Sequence, residues 1–552
     1  MPEEILKKIK NNVPPQWKTC FISAVTVGFI AHLYKMTGWL PNWDSLVFRY
    51  DTQNMIALGR WFLPIVCSPS SFYDLPWLVG LLAILLHGLG AVCICKTLNV
   101  QKKVTAALIG ALIVSFPTVT SVLTYNYVAD GYSFAFLLSC LAAMLITDKK
   151  PRYIASTVCI ALSAGIYQAY VTVTVMLLLC HLILEVLRED SKVKDITVKT
   201  LKLLLTGACG MLLYYIVLIV ILKITGTELL EYQGFDSAVS FSGINIPGAL
   251  YNIKHTFMDY FFDLSGGISV WFVLNCAIFF LTVLLYLGEI IKTKPSIAKL
   301  LLLALYCILL PIGAVLLAFI NSDIDYHNLM KMGFCVFYIF FLLHYERSEY
   351  KLLKLNSAKA WTILAVAFLL IFNNATIANV SYHKLEIAYE KSYGVLIRIV
   401  DRIEQTEGAQ DCDRILVLGA LEGSEAYSAN LPPDITGTTD GYILRADDEM
   451  VGQSVLCSAL NDYCGKSYSF LFNEYEARKS PINERLKHPL SSIRRLTSSG
   501  FDIGYPSTKL RCSVKRASLH ANFCTNPSTS PFGKTLTLLR MPFFRHASMH
   551  SL

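Results

Sequence analysis

The stretch from Thr37 to Leu75, TGWLPNWDSLVFRYDTQNMIALGRWFLPIVCSPSSFYDL, places Asp44, Arg49, Asp51, Arg60 and Asp74 among aromatic side chains between two apolar segments. Carboxylates and guanidinium groups beside a bilayer are expensive unless they are paired or used, whereas tryptophan and tyrosine favour the membrane–water interface. The stretch therefore reads as a loop holding an active site, not as a span. A carboxylate in such a loop can take a proton from an attacking hydroxyl, and an arginine can hold phosphate oxygens bidentately.

The elements that must position this loop are membrane helices. Of the 552 residues 54% are hydrophobic and 16% are charged, with a mean hydropathy of +0.49; soluble domains carry roughly 25% charged residues. Runs of about 20 apolar residues mark spans. About eleven are expected, near 19–36, 76–98, 104–124, 130–147, 153–166, 168–187, 201–223, 268–291, 298–320, 328–345 and 360–378. The run from Tyr153 to Leu187 makes two short spans only if GIYQAY at 165–170 is a tight turn between them. The first apolar segment lacks a small-residue cleavage site and is expected to remain as a span.

The net charge of +8 comes from short Lys/Arg clusters between apolar segments, which topology explains better than nucleic-acid binding does. With a turn near Gln168 these clusters fall on one side, the cytoplasm. The N-terminus is then inside, while the loop at 37–75 and the tail after the last span are outside. The inward loops contain no GxxxxGK[ST] and no GxGxxG after a strand, which disfavours ATP hydrolysis and direct use of nucleotide sugars.

From about Asn379 the composition becomes that of a soluble domain. Tyr382 to Gln405 has helical periodicity, and DRILVLG at 413–419 reads as a buried strand. The chain divides accordingly into a transmembrane domain, 1–378, and an external mixed α/β domain, 379–552. Outside the cell, Cys457–Cys464 and Cys512–Cys524 would suit local disulfides. Most of the 16 cysteines lie in apolar segments, and none shows metal-ligand spacing.

Three stretches carry a family resemblance: NWDSLVFRYDTQNMIALGRWFLP after the first span, YNYVADGYSFAFLLSCLAAML entering the fourth, and ALSAGIYQAY at the fifth-to-sixth turn. They resemble the serotype-converting O-antigen glucosyltransferases of bacteria, multi-span members of the C-type (GT-C) glycosyltransferase superfamily. The resemblance implies a GT-C-like α-helical polytopic fold. It also implies inverting transfer of a sugar, expected to be glucose, from a polyprenyl-phosphate carrier to a cell-surface glycan acceptor at the outer face of the cytoplasmic membrane. Membrane lipid, a polyprenyl-phosphate glucosyl synthase and a small flippase of the same pathway are the expected partners, with no cofactor and no metal.

Such chemistry needs one carboxylate to deprotonate the acceptor hydroxyl, and cationic stabilisation of the lipid phosphate that leaves. Asp44 in NWDS matches the superfamily's acidic first-loop position and is the first candidate for the base; otherwise it caps a short helix starting at Ser45. Asp51, two helical turns further on, is the second candidate. Asp130 in ADGY would orient the acceptor or tune the base, or else serve as a helix N-cap.

Arg60 in GRW is the candidate for the donor phosphate, with Trp61 as its interfacial anchor; the alternative is an arginine snorkelling to headgroups. Arg49 is a further candidate that a solvated loop face explains equally well. Gln168, beside Tyr167 and Tyr170, would bond sugar hydroxyls or satisfy the backbone of a broken helix. His327 and Lys331 in DIDYHNLMK would reach the carrier phosphate. The competing function is a polyprenyl-linked glycan flippase or other transporter. That function calls for midplane charges and internal repeats, whereas here the acidic residues cluster in outward loops.

Overall fold

The computed structural model describes residues 13–42, 44–45, 52–70, 73–230, 245–263, 268–322, 324–347, 355–406, 412–418, 458–461, 470–471, 501–505 and 508–514. The chain forms two compact units. The first comprises Met1–Pro41, Phe48–His383 and Leu431–Thr438, and the second Asn42–Val47, Lys384–Asn430 and Thr439–Leu552.

The first unit is helical. In chain order it contains α1 (Pro15–Thr37), the short α2 (Thr52–Ala57) and α3 (Leu63–Cys67), α4 (Pro76–Thr97), α5 (Lys103–Ser115), α6 (Pro117–Thr124) and α7 (Ala129–Thr147). There follow α8 (Tyr153–Ile166), α9 (Val171–Val186), α10 (Val193–Thr225), α11 (Ile246–Phe262), α12 (Val270–Thr293), α13 (Ile297–Ala314) and α14 (Cys335–Arg347). Among the described residues ten segments are long and apolar enough to cross a membrane, and the 14-residue α8 is a shorter apolar helix. Together they correspond one for one to the eleven expected spans. The protein is a polytopic helical membrane protein.

Helix α1 shows why these segments pack. It buries Cys20, Ala24 and Gly28, each four residues apart, in its contact with α4 and α5. Its opposite face leaves Ile22 and Ile30 exposed, as α10 leaves Leu204 and Leu205 and α13 leaves Leu301 and Ile308. In a bilayer those side chains face lipid.

Several spans are broken near one end. Pro117, which lacks an N–H, starts α6 directly after an extended Phe116. A 3-10 turn at Asn126–Val128 precedes α7, and Tyr167 (φ −157°, ψ 115°) with a 3-10 turn at Gln168–Tyr170 separates α8 from α9. Backbone groups freed at membrane depth need protein partners. Ser139 Oγ donates to the Tyr170 carbonyl at 2.8 Å and Ser163 Oγ to the Ala135 carbonyl at 3.0 Å. His87 and His181 are held locally. His87 bonds the Ala83 carbonyl at 2.8 Å, and His181 meets Lys199 at 2.7 Å and Glu185 at 3.2 Å.

Helix α15 (Leu355–Glu404) has 50 residues and belongs to the first unit up to His383. At 1.5 Å per residue it is roughly 75 Å long, more than twice a bilayer core of about 30 Å. The change of composition at 379 thus falls inside one continuous helix, because helical periodicity persists on both sides of it. In the second unit β1 (Cys412–Leu418), β2 (Phe470–Leu471), β3 (Phe501–Tyr505) and β4 (Thr508–Val514) form a sheet of order β2-β1-β4-β3. β1 runs parallel to β2, with Ile415 opposite Phe470, and antiparallel to β4, with Ile415 opposite Cys512. Of the four cysteines in the expected disulfides, Cys512 lies in β4, and Cys457, Cys464 and Cys524 lie outside the described residues.

Candidate active site

The GRW turn is bound to the break between α8 and α9. Gly59, at φ +74°, takes the left-handed conformation that glycine adopts at no steric cost, and its N–H bonds the Ile56 carbonyl at 2.9 Å. Arg60 N bonds the Met55 carbonyl at 3.0 Å, and Phe62 N bonds the Gly165 carbonyl at 2.7 Å. Gln168 Nε2 donates to the Leu58 carbonyl at 3.1 Å and to the Tyr214 hydroxyl at 3.0 Å; that hydroxyl donates in turn to the Gly59 carbonyl at 3.1 Å. Both amide hydrogens of Gln168 therefore hold the loop, leaving only its oxygen for a sugar hydroxyl. The break's own Tyr170 carbonyl is served by Ser139 instead.

Trp61 is buried by protein. It is 7% exposed and packs with Ala161, Ala164 and Tyr214. A Cβ added to Gly165 would lie 2.6 Å from its ring, so the missing side chain is what admits the indole.

Arg60 is clamped between residues of two other motifs. Its Nη1 donates to the Tyr132 hydroxyl at 3.0 Å, and its guanidinium lies 4.8 Å from the centre of the Tyr167 ring. The Tyr132 and Tyr167 rings are themselves stacked, 4.8 Å apart and 18° from parallel. A planar guanidinium suits this arrangement better than an ammonium does. Arg60 is thus held by protein on two sides.

Asp130 is 5% exposed in the first turn of α7, where the N-cap position belongs to Val128. Its Oδ1 accepts the Gly131 N–H at 2.9 Å and the Cys67 thiol at 3.4 Å. Burial, with the Asp130 charge beside it, pushes the Cys67 thiol well above its ordinary range, so it stays a protonated donor.

His327 and Lys331 reach the same region from the far end of the sequence. Asn252 Nδ2 on α11 holds the preceding loop through the Ser322 and Ile324 carbonyls, each at 2.9 Å, and Thr118 Oγ1 on α6 donates to the Asn328 carbonyl at 2.8 Å. Burial pushes the half-buried His327 imidazole down to about 4; the charges of Arg60 and Lys331 push the same way and Asp325 opposes them. The ring is therefore neutral near pH 7, and among the described residues its Nδ1 has no hydrogen-bond partner. Lys331 sits in the 3-10 turn Asn328–Phe334, where Asp325, Asp259 and Asp263 act on it electrostatically.

Asp44 belongs to the second unit. There Asn42 Oδ1 accepts from Ser45 N at 2.9 Å and from Ser45 Oγ at 3.1 Å, so Asn42 caps this turn. Arg49 and Asp51 lie outside the described residues. Tyr132, Tyr214 and Cys67 were not anticipated. Tyr132 stands two residues after Asp130 in ADGY and was open to notice, whereas a tyrosine in an apolar span and a lone cysteine carry no signal.

A cavity lined by Asp148, Tyr153, Asp195 and Lys199 lies at the opposite end of α7 from Asp130. Helix rise puts it roughly 27 Å away, so it is not part of this site. Among the described residues no three of His, Cys, Asp and Glu come together as a metal-holding group.

Broken helices thus bring the GRW turn, the start of α7 and the break before α9 together in a polytopic membrane protein. The chain belongs to the glucosyl transferase GtrII family, whose description matches residues 33–343, more than half of its length. It is accordingly a membrane glucosyltransferase of the serotype-converting O-antigen type. No curated protein and no solved structure matches it.

Proposed function

We propose that the protein transfers glucose from a polyprenyl-phosphate carrier to a cell-surface glycan, with inversion, at the outer face of the bacterial cytoplasmic membrane. Asp44, with Asp51 as the alternative, takes the proton of the acceptor hydroxyl. The hydroxyl oxygen bonds the sugar's anomeric carbon while the bond from that carbon to the phosphate oxygen breaks, and the electron pair leaves with the lipid phosphate. Arg60 receives that phosphate, with Lys331 and the neutral His327 beside it, and Asp130 orients the acceptor. No metal takes part. The N-terminus is cytoplasmic, and residues 379–552 form an external mixed α/β domain. A polyprenyl-phosphate glucosyl synthase and a small flippase supply the donor.

The observation that carries this reading is the convergence of GRW, ADGY and GIYQAY on one guanidinium, with His327 within its electrostatic reach. The test is single-turnover transfer by the purified protein in liposomes. Glucose should pass from polyprenyl-phosphate glucose to the glycan with the opposite anomeric configuration in the product. Transfer from a nucleotide sugar alone, or retention of configuration, would contradict it.

A further inference from the structure

Lys35 stands in the last turn of α1 with 2% of its surface exposed, and among the described residues it makes no hydrogen bond and no ion pair. One turn earlier, His32 has both ring nitrogens engaged, with the Tyr382 hydroxyl and the Val114 carbonyl, each at 2.8 Å, and offers Lys35 nothing. Asp74 acts on Lys35 electrostatically but lies beyond ion-pair distance, and its Oδ2 accepts from Trp39 Nε1 at 3.4 Å. The C-terminal end of a helix favours a cation by about 0.3–1 kcal/mol. Burying an unpaired ammonium costs several kcal/mol. The fold alone therefore does not account for a charge at this position.

The position is informative. Lys35 and Trp39 open the loop at 37–75, Asp74 closes it, and α4, which packs on α1, also packs on α7 and on the 3-10 turn Asn126–Val128 leading into Asp130. We infer that Lys35 binds the phosphate of a lipid phosphate ester at the base of this loop, in addition to the phosphate contact assigned to Arg60. The phosphate chemistry follows from the nearly buried ammonium at the end of α1, a helix whose outer face carries the exposed Ile22 and Ile30. Naming the ester as the polyprenyl-phosphate donor rests on the proposed function, and a phospholipid headgroup is the other source of the same group.

Thermal unfolding and native mass spectrometry of the purified protein separate these cases, using polyprenyl phosphate and phosphatidylglycerol as probes. K35M removes an unpaired buried charge, so in the absence of added lipid it should unfold at the same or a higher temperature than the wild type. It should lose about tenfold or more in affinity for polyprenyl phosphate, while K35R, which keeps a charged donor, stays within about threefold. Should K35M fail to fold, K35Q replaces it, being nearly the same size and uncharged. Loss of phosphatidylglycerol binding with polyprenyl phosphate binding intact would uphold the phosphate site and assign it to a headgroup. The inference is overturned if K35M and K35Q bind both lipids like the wild type. It is equally overturned if K35M is destabilised and D74N restores it in the double variant, since Lys35 would then be a structural counter-charge. Because these are binding measurements, a failure of the sugar-transfer reading would leave their result standing.

Discussion

Arg60 and Tyr132, 72 residues apart in sequence, meet through a 3.0 Å hydrogen bond from guanidinium to phenol, and Tyr167 stacks beneath both. This clamp joins the GRW turn to the start of α7 and the break before α9. Arg60→Lys keeps the charge but loses the stacking and the bidentate geometry, so transfer should fall about 10- to 100-fold, mainly through weaker donor binding. Tyr132→Phe removes one charge-assisted bond and should have a smaller effect in the same direction. Donor titrations of both variants check this, and an Arg60→Lys enzyme with wild-type donor affinity would separate Arg60 from the phosphate.

Gly165 controls whether the loop can dock. An alanine there would bring a methyl group to 2.6 Å from the Trp61 ring, and overpacking of this kind costs about 1–3 kcal/mol. Gly165→Ala should expose the GRW turn to limited proteolysis and lower activity, and Trp61→Leu in the same chain should restore part of both. Unchanged cleavage in the single variant would show that the crevice yields without strain.

His327 makes a pH prediction. Its imidazole titrates near 4 in the folded protein, against about 6.5 in the unfolded chain. Below pH 6.5 the unfolded state takes the proton first, so the contribution present at neutral pH is lost as pH falls toward 4. The loss is on the order of 3 kcal/mol at its full extent. Unfolding in detergent between pH 7 and 4 should therefore be less pH-dependent for His327→Gln than for the wild type. Parallel profiles would mean that His327 is not buried as a neutral ring.

Much of this was legible in the sequence, and the exceptions share a cause. Runs of apolar residues identify the spans because a bilayer demands them, and GIYQAY marks a break because the run from Tyr153 to Leu187 is too long for one span and barely long enough for two. The motifs were visible singly, but which of them touch depends on tertiary contacts such as Gln168 with Leu58, 110 residues apart. That Trp61 packs against the bare backbone of Gly165 is likewise a tertiary contact that the spacing of the two residues does not reveal. Lys35 is hidden by its place at the edge of the first span, where an isolated lysine resembles a flanking charge. The continuity of α15 was obscured because composition changes at 379 while helical periodicity does not.

The central claim, that a first-loop carboxylate is the base in glucosyl transfer, is tested most directly by single-turnover transfer with Asp44→Asn, beside Asp51→Asn. Asparagine keeps the size of Asp44 and can preserve part of its hydrogen bonding, so folding and donor binding should stay near normal. Transfer by Asp44→Asn should fall by about a hundred- to ten-thousand-fold, the usual effect of removing a general base, with Asp51→Asn milder. An inactive Asp51→Asn beside an active Asp44→Asn would move the base to Asp51. Near-normal turnover by both variants would contradict the account.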